Sequence, residues 1–377
     1  MKVVVAIDSF KGSLSSMEAG NAACEGIKKA CDADVVVKPL ADGGEGTTEA
    51  LVEGLGGEYV YLDVTGPLGQ TTRARYGILE DGKTAVMEMA EASGIILVKR
   101  EELDPWNATT RGVGEMIRDA IKRGCREFII GIGGSATTEG GIGMLKALGY
   151  EFLDAQGNPV REGVTELDQI ASIHDKNVPK ELQECHFQMA CDVKNPLCGE
   201  NGAVYVYGPQ KGVKEEEKQL MDEKMLHFAR KTTEYFGMDN SRQEGAGAAG
   251  GLGHAFISYL PNAELKSGIE IVLRAIRLEE EVRDADIVVT GEGRIDYQTA
   301  MGKVPVGVAH LAKKYRAKVI AFAGGVTVDA CKCNEEGIDA FFPIVRGVTT
   351  LDEAMATENA KQNMELAAEQ VFRLLRK

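Results

Sequence analysis

The sequence predicts an α/β protein of two domains: a discontinuous parallel-sheet domain, a mixed α/β domain inserted into it, and an active-site cleft between them. Three observations carry this reading. Strand, polar loop and helix alternate at both ends of the chain, which is the signature of a parallel sheet. Between them, Tyr59–Val64, Thr71–Ile78 and Thr84–Met89 read as strands separated by Gly66-Pro67-Leu68-Gly69 and by the hairpin signal Asp81-Gly82. A length of 377 residues exceeds what one hydrophobic core usually serves. The division drawn from these signals gives 1–56 with 96–135 and 280–377 to the first domain, and 57–95 with 136–279 to the inserted one.

Taken in order, Val3–Ile7 is the first strand and Asp8-Ser9-Phe10-Lys11-Gly12-Ser13 is the loop at its carboxyl end. Ser15-Ser16-Met17-Glu18 is a capping box for a helix to about Cys31. Val35–Leu40 is a second strand, followed by Asp42-Gly43-Gly44-Glu45-Gly46 and a helix to Leu55. In parallel sheets ligands bind beyond the carboxyl ends of strands, where both loops fall. Thr109–Cys125 predicts an amphipathic helix with Arg111–Glu115 and Asp119–Arg123 as i,i+4 pairs.

At the centre of the chain, Glu127–Ile132 is a buried-type strand, Gly133–Gly143 is rich in Gly, Ser and Thr, and the next apolar residues have helical spacing. A strand turning through glycines into a helix gathers backbone N–H groups and a helix dipole, which suits a phosphate. Farther on, Lys214–Phe236 predicts a helix with Leu220, Met225, Phe228, Thr232 and Tyr235 on one face. The Gly245–Gly253 stretch is a second glycine-rich loop, and Ser267–Glu270 heads a helix to about Ile276. Ala285–Thr290, Lys318–Phe322 and Phe341–Val345 are the last strands. Gly302-Lys303-Val304-Pro305 opens a helix to Tyr315, and Thr350–Glu353 caps the terminal helix.

Composition excludes several classes. A net charge of -15 opposes sequence-independent binding of nucleic acid or an anionic membrane, so an anionic substrate needs a local cluster of cations, dipoles or metal. No segment approaches the ~20 apolar residues of a membrane span. The N-terminal MKVVVAIDSFKGS reads as a core strand rather than a signal peptide, and the expected location is cytoplasmic. Eight cysteines at irregular spacing match no common zinc pattern and read as reduced thiols.

Two chemistries compete for the central loop. Gly131-Ile132-Gly133-Gly134-Ser135-Ala136 satisfies G-x-G-x-x-A, with Asp154 about twenty residues later, a formal NAD-binding match for a dehydrogenase. The helix that motif should open is delayed by Thr137–Gly141. Phosphoryl transfer instead needs donors for phosphate oxygens, carboxylates for Mg²⁺, cations and a group to orient the attacking hydroxyl. The donors on offer are Gly133, Gly134, Ser135, Thr137 and Gly245–Gly253, which includes Gly250 and Gly251. The carboxylates are Asp8, Asp42, Glu45, Asp192, Glu292 and Asp296; the cations are Lys11, Lys194, Lys211, Arg294 and Lys303. Each sits in a glycine loop or at the end of an expected strand. No P-loop motif occurs, and the five histidines make no hydrolase pattern, though His254 lies beside the second glycine loop.

Seven segments in one order resemble the bacterial glycerate kinase family, the enzymes of glucarate and glyoxylate breakdown, rather than the plant-type enzymes with a P-loop. They are Asp8–Ser13, Pro39–Thr47, Gly131–Gly143, Ala190–Leu197, Gly208–Gly212, Gly245–Gly253 and Thr290–Thr299. The resemblance implies a Rossmann-like domain beside an unusual one, and ATP- and Mg²⁺-dependent phosphorylation of D-glycerate, with the 2-phospho product favoured over the 3-phospho. It further implies catalytic roles for Lys11, Asp192, Arg294 and Asp296, and a substrate site at Asp8, Ser9, Lys11 and Arg294. Phosphates would lie at Gly133, Gly134, Ser135, Thr137, Gly250, Gly251 and Lys211, and Mg²⁺ at Asp192 and Asp42. Asp296 or Asp8 would orient the attacking hydroxyl. A related hydroxy-acid kinase is the neighbouring reading; the expected assembly is a monomer or homodimer.

Overall fold

The computed structural model describes residues 1–376. Its strands are β1 (Lys2–Ala6), β2 (Asp34–Lys38), β3 (Gly57–Thr65), β4 (Thr71–Leu79), β5 (Thr84–Glu88), β6 (Glu127–Gly131), β7 (Glu151–Leu153), β8 (Ser172–His174), β9 (His186–Ala190), β10 (Ala263–Lys266), β11 (Ile287–Ile295), β12 (Lys318–Val326) and β13 (Ala340–Pro343). The chain divides into two compact units. The first holds Met1–Asp42, Glu49–Gly56 and everything from Ile269 onward; the second holds Gly43–Thr48 and Gly57–Gly268.

In the first unit five strands run in the order β13-β12-β11-β1-β2, and every pairing is parallel. Val3, Val4 and Val5 are wholly buried, as a strand covered by helices on both faces demands. The helix Ser16–Ala30 begins in the expected capping box, with Ser15 and Glu18 exchanging bonds. It packs on the helix Thr357–Leu375, whose Met364, Ala368 and Phe372 complete the core. The chain leaves β1 toward β2 on one side, and β11 lies on the other. The switch point of this sheet is therefore between β1 and β11, where a ligand is expected at the carboxyl ends.

The second unit carries a mixed sheet in the order β10-β9-β6-β5-β4-β3. β3, β4 and β5 pair antiparallel as the hairpin signals require, whereas β5, β6, β9 and β10 pair parallel. Those four strands deliver their carboxyl-end loops to one edge of the sheet. A small antiparallel pair, β7 and β8, stands apart.

Several expectations from sequence need correction. Residues 96–135 belong to the second unit, because β6 pairs with β5 and β9. A buried parallel strand is apolar on both faces, so its pattern does not say which sheet it joins. Residues 269–279 fall in the first unit. Arg111 does not pair with Glu115; its Nη2 lies 2.5 Å from Glu162, and Glu115 accepts from Thr65 N–H and hydroxyl. Asp119–Arg123 does form, at 2.7 Å. The helix expected from Lys214 runs Lys218–Phe236 and buries Met221, Met225, Phe228 and Thr232, while Leu220 is 52 % exposed and Tyr235 faces out. The Thr350 box caps a separate short helix, Leu351–Met355. Finally, β11 and β12 continue through Glu292-Gly293-Arg294 and Gly324-Gly325, which had read as loops; Arg294 is in register with Gly325. Glycines weaken each strand alone, but two such extensions satisfy one another's backbone.

Candidate active site

In the first unit the ends of β1, β11, β12 and β13 surround a cavity of about 680 Å³. Its charged lining is Asp8, Asp42, Glu292, Lys11, Arg294 and Lys303, so six of the residues named from sequence converge there, with Ser9 beside them. Asp8 N–H donates to the Gly291 carbonyl at 2.9 Å, which fastens the loop after β1 to β11 across the switch point. Asp8 is only 8 % exposed and accepts from Ser9 N–H at 2.7 Å. Burial first, and the neighbouring Asp42 and Glu292 charges after it, push its carboxyl up to about 7, against the pull of the Ser9 bond and Lys11. Glu292 is also raised by burial, although the Thr299 hydroxyl donates to it at 2.5 Å and Lys303 opposes the shift.

Asp296, named as catalytic from sequence, accepts from Gln298 N–H at 2.9 Å as the N-cap of Tyr297–Ala300. It lies 3.6 Å from the exposed Arg294 guanidinium and does not line the cavity. Arg294 therefore pairs loosely with Asp296.

The second unit holds the loop Ile132–Gly141. Its helix is only Ile142–Ala147 and begins at Gly141 without a side-chain cap. Beside it stands the amine of Lys211, which is 1 % exposed. Its ammonium donates to Ser135 Oγ and to the Thr137 carbonyl, both at 2.6 Å, and burial with no carboxylate partner lowers its pKa to about 7. Because Ser135 Oγ accepts from Lys211, the serine's own proton is directed elsewhere. Thr137 Oγ1 and Thr138 Oγ1 are buried without a partner in the protein. Gly133 and Gly134 are exposed, and a side chain at Gly133 would meet nothing within 4 Å. Exposed backbone with oriented hydroxyls beside it is a donor set that suits phosphate oxygens.

Gly250 and Gly251 close this loop from the second glycine stretch. Residues Ala249, Gly250 and Gly251 break the helix Ala248–Tyr259 with φ of 52°, 70° and 92°. A Cβ at Gly250 would lie 2.0 Å from the Thr137 carbonyl oxygen, so only glycine fits. Gly250→Ala is expected to cost about 2–4 kcal/mol in clash and backbone strain. A lower urea midpoint at unchanged m-value would show it.

Asp192 sits at the exposed end of β9, with Oδ1 accepting from Gly268 N–H at 3.1 Å. Lys194 is exposed beside Glu244 at 3.4 Å. Among the described residues no group of three or more His, Cys, Asp or Glu forms a preformed metal cage. The eight cysteines are free thiols. Asp154 closes its own turn just after β7, accepting from Gln156 and Asn158 N–H at 2.8 Å. His254 is fully buried against Phe228, and burial holds its ring down to about 4.

Two carboxylates were not picked out from sequence. Glu88 accepts from Thr48 N–H at 2.9 Å and Gly46 N–H at 3.3 Å, fixing the loop after Asp42. Glu139 is wholly buried, accepts from the backbone of Thr110, Gly143 and Gly163 and from the Thr110 hydroxyl, and is raised by burial to about 7. Its place in the Thr-Thr-Glu-Gly-Gly run was the available signal, since a carboxylate among glycines has N–H groups to bind.

Comparison with known proteins bears on this geometry. The family model described as the glycerate kinase family matches residues 3–376. A Haemophilus influenzae glycerate kinase is 45 % identical over 376 residues, covering 100 % of this chain and 99 % of that protein. A glycerate 2-kinase of Escherichia coli K12 is 47 % identical over 355 residues, 94 % of this chain and 93 % of that one. A crystal structure from Salmonella typhimurium LT2 superposes with a TM-score of 0.92 at 45 % identity, covering 100 % of this chain and 98 % of the other. No helix among the described residues is long and apolar enough to cross a membrane. By sequence along its whole length and by fold, this chain belongs to the glycerate kinase family.

Proposed function

We propose that the protein transfers the γ-phosphoryl group of ATP to a hydroxyl of D-glycerate in a Mg²⁺-dependent reaction, giving 2-phosphoglycerate. The observation that carries this is the convergence of Asp8, Asp42 and Glu292 with Lys11, Arg294 and Lys303 around one cavity at the switch point. The relative named a glycerate 2-kinase supports the choice of hydroxyl.

Each residue then has a task. Arg294 anchors the glycerate carboxylate, with Ser9 beside it. Asp8 accepts the proton of the attacking hydroxyl, for which a buried carboxyl titrating at about 7 is suited. Lys11, exposed at the cavity mouth, neutralises charge on the transferring group. Ser135, Thr137 and the backbone of Gly133, Gly134, Gly250 and Gly251 donate to phosphate oxygens. Lys211 is a positioning residue, because its ammonium is buried and committed to Ser135 and Thr137. Asp42 and Asp192 each offer a hard oxygen, which fits Mg²⁺. That ion keeps waters and phosphate ligands and needs only one or two carboxylates. When bound, it would supply positive charge that offsets the charge of the phosphate groups.

The test is ADP release from purified protein with Mg-ATP and D-glycerate, the product identified by phosphorus NMR. L-glycerate, other small hydroxy acids and a metal-free sample are the controls. Turnover on D-glycerate with a 2-phospho product is expected. Faster turnover on another hydroxy acid, or none in any sample, would overturn the assignment.

A further inference from the structure

The cavity of the first unit is larger than its acceptor requires. D-glycerate has seven non-hydrogen atoms and takes roughly the room of five waters, about 150 Å³ at ~30 Å³ each, against about 680 Å³ here. The charged groups lie on the β1 and β11 side. On the β12 and β13 side the wall is apolar, made by Val326, Ile344 and Val345, and it continues through Leu351 and Ala354 to Met355, which reaches back to Gly12 in the loop after β1. From β1 to β13 is three strand spacings, or about 14 Å, far longer than a three-carbon acid.

That apolar end also has a polar edge. Pairing of β12 with β13 stops at Ala323 opposite Pro343, yet β12 continues to Val326. The backbone of Gly324, Gly325 and Val326 thus has no strand partner on that side among the described residues, and all three line the cavity. Aliphatic walls with a row of backbone donors and acceptors are what a flat heteroaromatic ring needs, its faces against side chains and its edge on the backbone. Lys11 and Lys303 at the other end complement a phosphate tail.

We propose that the β12–β13 end of this cavity, between Gly324–Val326 and the segment from Ile344 to Leu351, is the seat of the purine base of the phosphoryl donor. This rests on the reading of the chain as an ATP-using kinase and adds where the base binds. Gly325 offers a direct probe, since a Cβ there meets nothing within 4 Å and its backbone is not left-handed. A leucine at 325 would occupy the space of the base without disturbing the fold.

In Gly325→Leu, the Kd for ADP by calorimetry and the KM for ATP should each rise at least about tenfold, roughly 1.4 kcal/mol. The KM for D-glycerate should stay within about twofold, as expected for loss of donor binding alone. Adenosine should inhibit the unsubstituted enzyme competitively against ATP. Should Gly325→Leu not fold, Leu351→Glu, at a position 73 % exposed, puts a charge at the same end and should give the same pattern. A rise in the KM for D-glycerate with ADP binding unchanged, or adenosine competing with D-glycerate, would overturn the proposal. ADP binding weakened by either substitution in a protein that phosphorylates no hydroxy acid would leave the base site standing and remove the function. Turnover of D-glycerate with ADP binding unchanged in both variants would do the reverse.

Discussion

Asp8→Asn should lower kcat by about 10²–10⁴, the usual worth of a positioned general base, and should make the protein more stable at pH 8. The two effects have one cause. Burial and the charges of Asp42 and Glu292 hold the folded-state carboxyl at about 7, above its ordinary value of 3.8. Between those two pH values the folded chain binds a proton that the unfolded chain has lost, so stability falls as pH rises through the window. An asparagine removes that dependence. The gain at pH 8 should be on the order of 2–4 kcal/mol and should vanish below about pH 4. Denaturant midpoints at pH 4 and pH 8 measure it. In the unsubstituted enzyme, kcat/KM should rise with pH up to about 7 and then level, as Asp8 becomes able to accept a proton. A variant that lost activity with no change in the pH dependence of stability would show that Asp8 is not the titrating group.

Lys211→Met should reduce kcat/KM for ATP by about 10²-fold, because the Ser135–Thr137 segment loses the two bonds that orient it. Lys211→Arg should not rescue it, since a planar fork does not fit a fully enclosed ammonium site. Its stability signature runs opposite to that of Asp8. Burial lowers the folded-state lysine from 10.5 to about 7, so between those values the unfolded chain holds the extra proton and stability rises with pH. Lys211→Met should abolish that rise. Ser135 Oγ and the Thr137 carbonyl would then be buried with fewer donors, at about 1–3 kcal/mol, offset in part because no charge-bearing group need be buried. A normal KM for ATP with a lost pH slope would separate a structural role from positioning of the loop.

Much of the site was legible because its chemistry is local. Asp8, Lys11, Asp42, Glu292 and Arg294 each lie within a few residues of an apolar β-branched run, and a parallel sheet gathers its carboxyl ends at one edge; Lys303 instead heads the helix Val304–Lys314. Strand pattern and residue type therefore sufficed to bring them together. Capping boxes behaved likewise at Ser15, where four consecutive residues hold all the information. At Thr350 the box was right, but the helix it starts ends at Met355, because nothing local marks the break at Ala356.

Tertiary structure decided what depends on partners distant in sequence. The membership of Glu127–Gly131 in the second sheet follows from its neighbours β5 and β9, which its own apolar pattern cannot name. Arg111 chose Glu162 over Glu115, since a carboxylate already bound by Thr65 is less available than one brought in by the fold. Lys211 is 76 residues from Ser135, so only packing could bring its amine to the Ser135 hydroxyl. Asp296 became a helix cap outside the cavity, whereas Asp8 lines it with Asp42 and Glu292. The sequence by itself determined the α/β class and the family. The three-dimensional structure alone decided which carboxyls burial pushes up, Asp8 and Glu139 above all, because that depends on water excluded and charges approached, and neither is written along the chain.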